Sequence, residues 1–169
     1  TDFGENYVDE ANEKISNMRN TDIRWHYIGK IQSNKIKLIC NLFDWVHTIS
    51  SEKHARKINE ICKSMKKVMN VCIQINIDNE ETKGGITREE CEKFCLSLNG
   101  LKNIRLRGIM TIPRSDIPSE KSFARMHDLY KKNDYFDTLS MGMSNDFVTA
   151  IENGANMLRI GQEIFGKRS

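Results

Sequence analysis

Short apolar segments alternate with amphipathic ones along the whole chain, and this alternation restricts the fold more than any single motif does. The apolar segments are residues 25–29 (WHYIG), 45–49 (WVHTI), 71–77 (VCIQINI), 104–112 (IRLRGIMTI), 138–141 (TLSM) and 157–160 (MLRI), with a short strand or strand end at 3–6. Near-continuous apolar runs of this length suit parallel strands buried on both faces. Between them, residues 51–67 set Ala55, Ile58, Cys62 and Met65 three or four apart, which makes one helical stripe. Residues 87–98 open with Thr87 and Glu90 in capping-box spacing, carry Cys91, Phe94, Cys95 and Leu98 on one face, and stop at Asn99-Gly100. Residues 119–132 present Phe123, Met126, Leu129 and Tyr130, and residues 144–153 read as a helix capped by Ser144 and ended by Gly154.

Strict strand–helix alternation favours either a barrel or a doubly wound sheet. Polar or glycine-bearing stretches follow nearly every strand: Glu5-Asn6, residues 29–35, residues 76–78, Thr111, residues 140–144 and Gly161. A barrel gathers all such loops at one end, whereas a doubly wound sheet concentrates them near one switch point. The expected fold class is therefore α/β, a (β/α)8 barrel of the triosephosphate isomerase type, with residues 1–169 forming a single domain. A complete barrel of this type takes about 200–250 residues, and this chain supplies about seven βα units in 169. A barrel one strand short leaves two open edges, which invite aggregation. The expectation is that an N-terminal βα unit is missing ahead of Thr1.

Composition narrows the function. Charged residues are 29% and hydrophobic residues 38%, as in an ordinary globular protein, and a net charge of +3 spread among both signs gives no nucleic-acid footprint. No apolar run approaches the ~20 residues that cross a bilayer, and no signal peptide is visible ahead of a start at Thr1. The five cysteines, Cys40, Cys62, Cys72, Cys91 and Cys95, are odd in number and contain no CxxC pair, so neither a disulfide framework nor a structural zinc site is expected. Cys91 and Cys95 read as small core hydrophobes. A reducing, cytoplasmic setting follows.

Two segments near the C-terminus carry the best site signal. Residues 139–147 (LSMGMSNDF) form a strand, a small-residue turn and a helix start, where Ser144 and backbone N–H groups suit a phosphate. Residues 157–166 (MLRIGQEIFG) end a strand at Gly161, which permits close backbone approach. Loops after the last two strands of a barrel frequently make a phosphate site, although Gly142 and Gly161 also read simply as turn glycines. Arg159, between Leu158 and Ile160, needs either a ligand or an internal ion pair. His26 on its strand reads as a structural hydrogen bonder, and His47, His54 and His127 lack metal-ligand spacing, so no metal is expected.

These segments also carry a family resemblance. FGENYVDE (3–10), WHYIGKIQSNK (25–35), FDWVHTI (43–49), VCIQINIDNEETKGGI (71–86), LRGIMTIP (106–113), LSMGMSNDF and MLRIGQEIFG span the chain and run in the order found in pyridoxal phosphate homeostasis proteins. The chain resembles that family, also described as proline synthetase co-transcribed or alanine-racemase-N-terminal-like. The resemblance implies a fold-type III barrel that binds pyridoxal 5'-phosphate as a carrier or buffer in vitamin B6 and amino-acid homeostasis, without catalytic turnover. It implies that Ser144 and Gly161 hold the phosphate with help from the Gln162 backbone, that Arg159 faces the pyridine nitrogen, and that Asn6 and Met110 line the ring pocket.

One family feature is absent from the sequence. The family's cofactor lysine lies in an SKTK-like motif upstream of FGEN, and no such motif occurs here. Lys30 and Lys35 follow a different strand and are poor substitutes. The expectation is that this chain does not form the usual Schiff base and binds through phosphate, Arg159 and pocket contacts alone. Two alternatives stand beside the carrier. One is a racemase or decarboxylase on the same barrel, which commonly needs a second acid/base from a further domain, whereas this sequence ends at FGKRS directly after the last barrel unit. The other is a regulatory binding module with a vestigial site. As for partners, pyridoxal phosphate is expected, nucleic acid and membrane are not, and a monomer or weak homodimer is expected.

Overall fold

The computed structural model describes residues 1–18 and 22–166. Six strands form one sheet in sequential order, and all five pairings are parallel: β1 (Asp2–Glu5), β2 (Arg24–Tyr27), β3 (Trp45–Ile49), β4 (Met69–Gln74), β5 (Ile104–Met110) and β6 (Thr138–Ser140). Helices fill the crossovers: α1 (Val8–Asn17), α2 (Ile36–Leu42), α3 (Glu52–Ser64), α4 (Cys91–Ser97), α5 (Glu120–Lys131) and α6 (Phe147–Glu152). A single turn, α7 (Gln162–Phe165), follows the last loop.

The sheet is curled into a partial barrel. Neighbouring strands lie about 4.8 Å apart, so a flat sheet would set β3 and β6 about 14 Å from each other. Yet His47 Nδ1 of β3 lies 2.9 Å from Ser140 Oγ of β6. Only strong curvature brings these side chains together, as in a barrel with part of its circumference present.

The curl divides the core in two. The helix-covered outer face holds a large apolar layer, in which Ile36 and Ile39 of α2, Ile58 of α3 and Phe123 of α5 pack against Val46, Val71 and Ile109 of the strands. The inner face holds a small cluster of Trp45, Cys72 and Met110, with Ile112 and Met157 against it. Register shifts between Val46 and Ile49 of β3, and between Leu106 and Gly108 of β5, change the inward–outward alternation part-way along these two strands.

Several elements are shorter than their sequence patterns suggest. Segment 25–29 is strand only to Tyr27, segment 71–77 runs as strand from Met69 to Gln74, and segment 104–112 ends at Met110. Segment 157–160 is not a strand: it meets β6 through one bridge, Ser140 to Met157, before Arg159 N–H donates to the Gly142 carbonyl at 2.9 Å. The helix expected from Ser144 starts at Phe147 with Asp146 at its N-cap. The turn at Gly142, with φ +93, delays it, and the Asp146 carboxylate accepts from Met143 N–H at 2.7 Å. Regular helix α4 starts at Cys91, although the expected capping box is formed: the Glu90 carboxylate accepts from Thr87 N–H at 2.8 Å and Thr87 Oγ1 from Glu90 N–H at 3.4 Å. All five cysteines are buried and unpaired by disulfides. Among the described residues no helix is long and apolar enough to cross a membrane.

Candidate functional site

Because every strand runs the same way, the C-terminal ends of all six open on one mouth. Asn6 follows β1, Thr111 follows β5, and the loop carrying Ser144 follows β6. Asn6 is exposed, and its carbonyl lies so close to Gly29 that a Cβ there would stand 1.9 Å from it, which explains glycine in the loop after β2. Met110 is fully buried and pairs in register with Ser140. Arg159 joins this pair: its guanidinium donates to Ser140 Oγ at 2.9 Å and to the Thr111 carbonyl at 2.8 Å.

Among the described residues the Arg159 side chain therefore ends at neutral acceptors and in no carboxylate ion pair. Burial lowers its pKa to about 10, with the Asp146 carboxylate opposing the fall, so it remains cationic at neutral pH. Burial pushes the neighbouring Cys72 thiol up to about 12, so it stays protonated. Gly161 N-caps α7, and nothing stands within 4 Å of the position a Cβ would take, which leaves its backbone open to approach. Gln162 begins the turn and is exposed. Ser144 is partly buried in the turn before α6. The Phe165 ring lies 6.4 Å from that of Phe3, which sets α7 against β1. Met110, Ser140 and Arg159 are thus brought into contact, and Ser144, Gly161 and Gln162 lie on the two loops that Arg159 and Gly142 tie together. Asn6 follows β1, the strand against which α7 is set.

Beneath the mouth runs a line of polar side chains that the sequence reading left unconnected. His47 Nδ1 meets Ser140 Oγ at 2.9 Å, His47 Nε2 meets His26 Nδ1 at 2.9 Å, and His26 Nε2 meets Asp2 Oδ1 at 3.0 Å. Burial holds the His47 imidazole well below its usual pKa, helped by the His26 and Arg159 charges. Burial also lowers His26, against the pull of the Asp2 carboxylate. Trp45 stacks on His26 with ring centroids 5.2 Å apart, and the Arg107 guanidinium lies 4.7 Å over Trp45. The reading of His26 as a structural hydrogen bonder holds. His47 carried a signal too, since period-two alternation in WVHTI sets Trp45 and His47 on one face. Its partner Ser140, 93 residues away, had none.

Lys35, one of the two lysines raised as a substitute, is committed elsewhere. Its Nζ pairs with Asp9 of α1 at 2.8 Å, on the helical exterior. Among the described residues no group of three or more histidine, cysteine or acidic side chains is placed to hold a metal ion.

The chain matches the family described as alanine racemase, N-terminal domain, over residues 1–169. It is 42% identical to the pyridoxal phosphate homeostasis protein of Pasteurella multocida (strain Pm70) over 179 residues, covering 99% of this chain and 77% of that relative. It is 39% identical to the protein of the same name from Escherichia coli (strain K12), covering 98% of this chain and 75% of the relative. Among solved structures, PipY of Synechococcus elongatus PCC7942 with pyridoxal phosphate bound superposes with a TM-score of 0.89 at 28% identity, covering 97% of this chain and 81% of PipY. An alanine racemase of Clostridium difficile 630 superposes with a TM-score of 0.78 at 21% identity, over 99% of this chain and 45% of the racemase, a likeness of fold.

Proposed function

Since this chain belongs to the alanine racemase N-terminal domain family, we propose that it binds pyridoxal 5'-phosphate at the C-terminal mouth of its sheet. There it serves as an intracellular carrier or buffer of that cofactor, in vitamin B6 and amino-acid homeostasis, rather than turning over a substrate. The observation that carries this reading is Arg159, a cation at the mouth whose acceptors, Ser140 Oγ and the Thr111 carbonyl, are both neutral. Among the described residues these take two of the five guanidinium donors, which leaves the others for a ligand. The names of the relatives from Pasteurella multocida and Escherichia coli, and the pyridoxal phosphate bound to PipY, support the same reading.

The residues present fit the cofactor. The Ser144 hydroxyl and the N–H groups of Gly161 and Gln162 would hold the phosphate, the last two helped by the open backbone at Gly161. Met110 and Asn6 would bound the ring. When bound, pyridoxal phosphate supplies an aldehyde and an electron-accepting ring. Arg159 would donate to the pyridine nitrogen and keep it unprotonated, which weakens the ring as an electron sink and suits storage better than carbanion chemistry. His47, the imidazole in line with Arg159, has both ring nitrogens engaged, which counts against a racemase role for it. The buried, unbridged cysteines support a reducing, cytoplasmic setting.

Equilibrium dialysis tests this reading. Saturable binding of one pyridoxal phosphate per chain is expected. Arg159→Gln weakens it about 10-fold or more, as loss of a hydrogen bond to a charged group costs about 1.5–3 kcal/mol. Ser144→Ala weakens binding of pyridoxal phosphate but not of pyridoxal. Absence of saturable binding, or equal affinity for the phosphorylated and unphosphorylated forms, would overturn the proposal.

A further inference from the structure

The polar line inside the curl has a direction that hydrogen-bond chemistry alone determines. The Arg159 guanidinium can only donate, so Ser140 Oγ accepts from it. Ser140 then has one proton of its own to place. In one arrangement Ser140 donates to a bare His47 Nδ1, the protonated His47 Nε2 donates to a bare His26 Nδ1, and the protonated His26 Nε2 donates to the Asp2 carboxylate. Every contact pairs a donor with an acceptor, and both imidazoles are neutral.

The reverse arrangement fails at its far end. If His47 Nδ1–H donates to Ser140 and His26 Nδ1–H donates to His47, then a neutral His26 turns a bare Nε2 towards a carboxylate oxygen 3.0 Å away. Two acceptors then face each other. An added proton on His26 would cure this, but it would put an imidazolium into an interior where His26 is only 5% exposed and His47 1%. Asp2, first residue of β1, lies at the N-terminal end of the sheet, and Ser140, last residue of β6, lies at the mouth. The line therefore crosses the whole interior.

We propose that His26, His47 and Ser140 are positioning residues for Arg159, forming a one-way hydrogen-bond chain anchored by Asp2 that aims the remaining guanidinium donors at a heteroaromatic nitrogen acceptor in the mouth. The ligand half of this statement rests on the function proposed above; the chain itself does not. Fixed at one end by a carboxylate that can only accept, the chain delivers to Ser140 a lone pair in a set direction. Arg159, braced also by the Thr111 carbonyl, is then held in one orientation.

Asp2→Asn is the informative variant, since residue 2 does not touch Arg159 and its side chain is about half exposed. An amide can donate as well as accept, so it permits the reversed chain with neutral histidines. Three quantities are read in the wild type, Asp2→Asn and Ser140→Ala: imidazole 15N shifts, rotation of the Arg159 guanidinium by 15N NMR, and affinity for pyridoxal phosphate. The chain predicts Nε2–H tautomers for both His26 and His47 in the wild type and mixed tautomers in Asp2→Asn. It predicts faster guanidinium rotation in both variants and a loss of affinity of about 3- to 10-fold in each. A protonated Nδ1 or an imidazolium at His47 in the wild type at pH 7 would overturn the direction of the chain. Unchanged guanidinium rotation in both variants would overturn its positioning role. If the wild type binds no pyridoxal phosphate, the proposed function fails while the tautomers and the rotation still decide the chain.

Discussion

The two faces of the curled sheet do different work. The outer face is packed with side chains such as Ile39, Ile58 and Phe123, all fully buried, whose attraction depends on area and not on direction. Among the described residues the inner face buries three hydrophobic side chains of its own, Trp45, Cys72 and Met110, beside His26, His47 and Ser140. There the contacts are directional, and among the described residues no buried side-chain nitrogen or oxygen lacks a partner. The difference teaches that this protein draws cohesion from one side of the sheet and orientation from the other. A sheet stabilised mainly from outside can hold a cation such as Arg159 inside, provided that each polar group is satisfied.

The largest effect that separates the faces is expected from the outer one. Phe123→Ala removes a fully buried ring from the layer under α5 and should cost about 3–5 kcal/mol in denaturant unfolding. A cost below about 1 kcal/mol would mean that the outer layer is not what holds the sheet. On the inner face, His47→Phe preserves bulk but strands the Ser140 hydroxyl and His26 Nδ1, so it should cost about 1–3 kcal/mol. A neutral or stabilising result would show that these inner contacts contribute no cohesion.

Acid sharpens the contrast further. Both inner histidines are lowered by burial in the folded chain, so the unfolded chain binds more protons just below the ordinary histidine value. Stability is then fully present above about pH 6.5 and falls as the pH drops below it, by about 1.4 kcal/mol per pH unit for each proton taken up. The charged groups facing the pair are Asp2, Arg24 and Asp44 around His26 and Arg159 beside His47. His47→Phe should reduce this slope, whereas Phe123→Ala should leave it intact. Equal slopes in wild type and His47→Phe would mean that the inner pair does not govern the acid limb.

Much of the outer architecture was legible in the sequence, because it rests on local periodicity. WVHTI at residues 45–49 coincides with β3, and Ala55, Ile58 and Cys62 are the buried stripe of α3. Arg159 was legible as well, since a cation between Leu158 and Ile160 demands a partner. The partner was not. The Ser140–His47 contact joins strands three apart in the sheet, and it exists only once the sheet has curled. Nor could periodicity reveal the register shift in β5, where Leu106 pairs with Val71 but Gly108, not Arg107, pairs with Cys72. The late start of α6 has a similar origin, as Gly142 and Asp146 shape the loop by geometry that a capping pattern around Ser144 does not record.

The most direct test of the account is the protonation state of the pyridine nitrogen in bound, 15N-labelled pyridoxal phosphate. With Arg159 as its donor, the nitrogen should give the 15N shift of an unprotonated pyridine at neutral pH and move when Arg159 is replaced by glutamine. A pyridinium shift, or a shift indifferent to Arg159→Gln, would contradict the placement of the cofactor against Arg159 and the carrier role built on it.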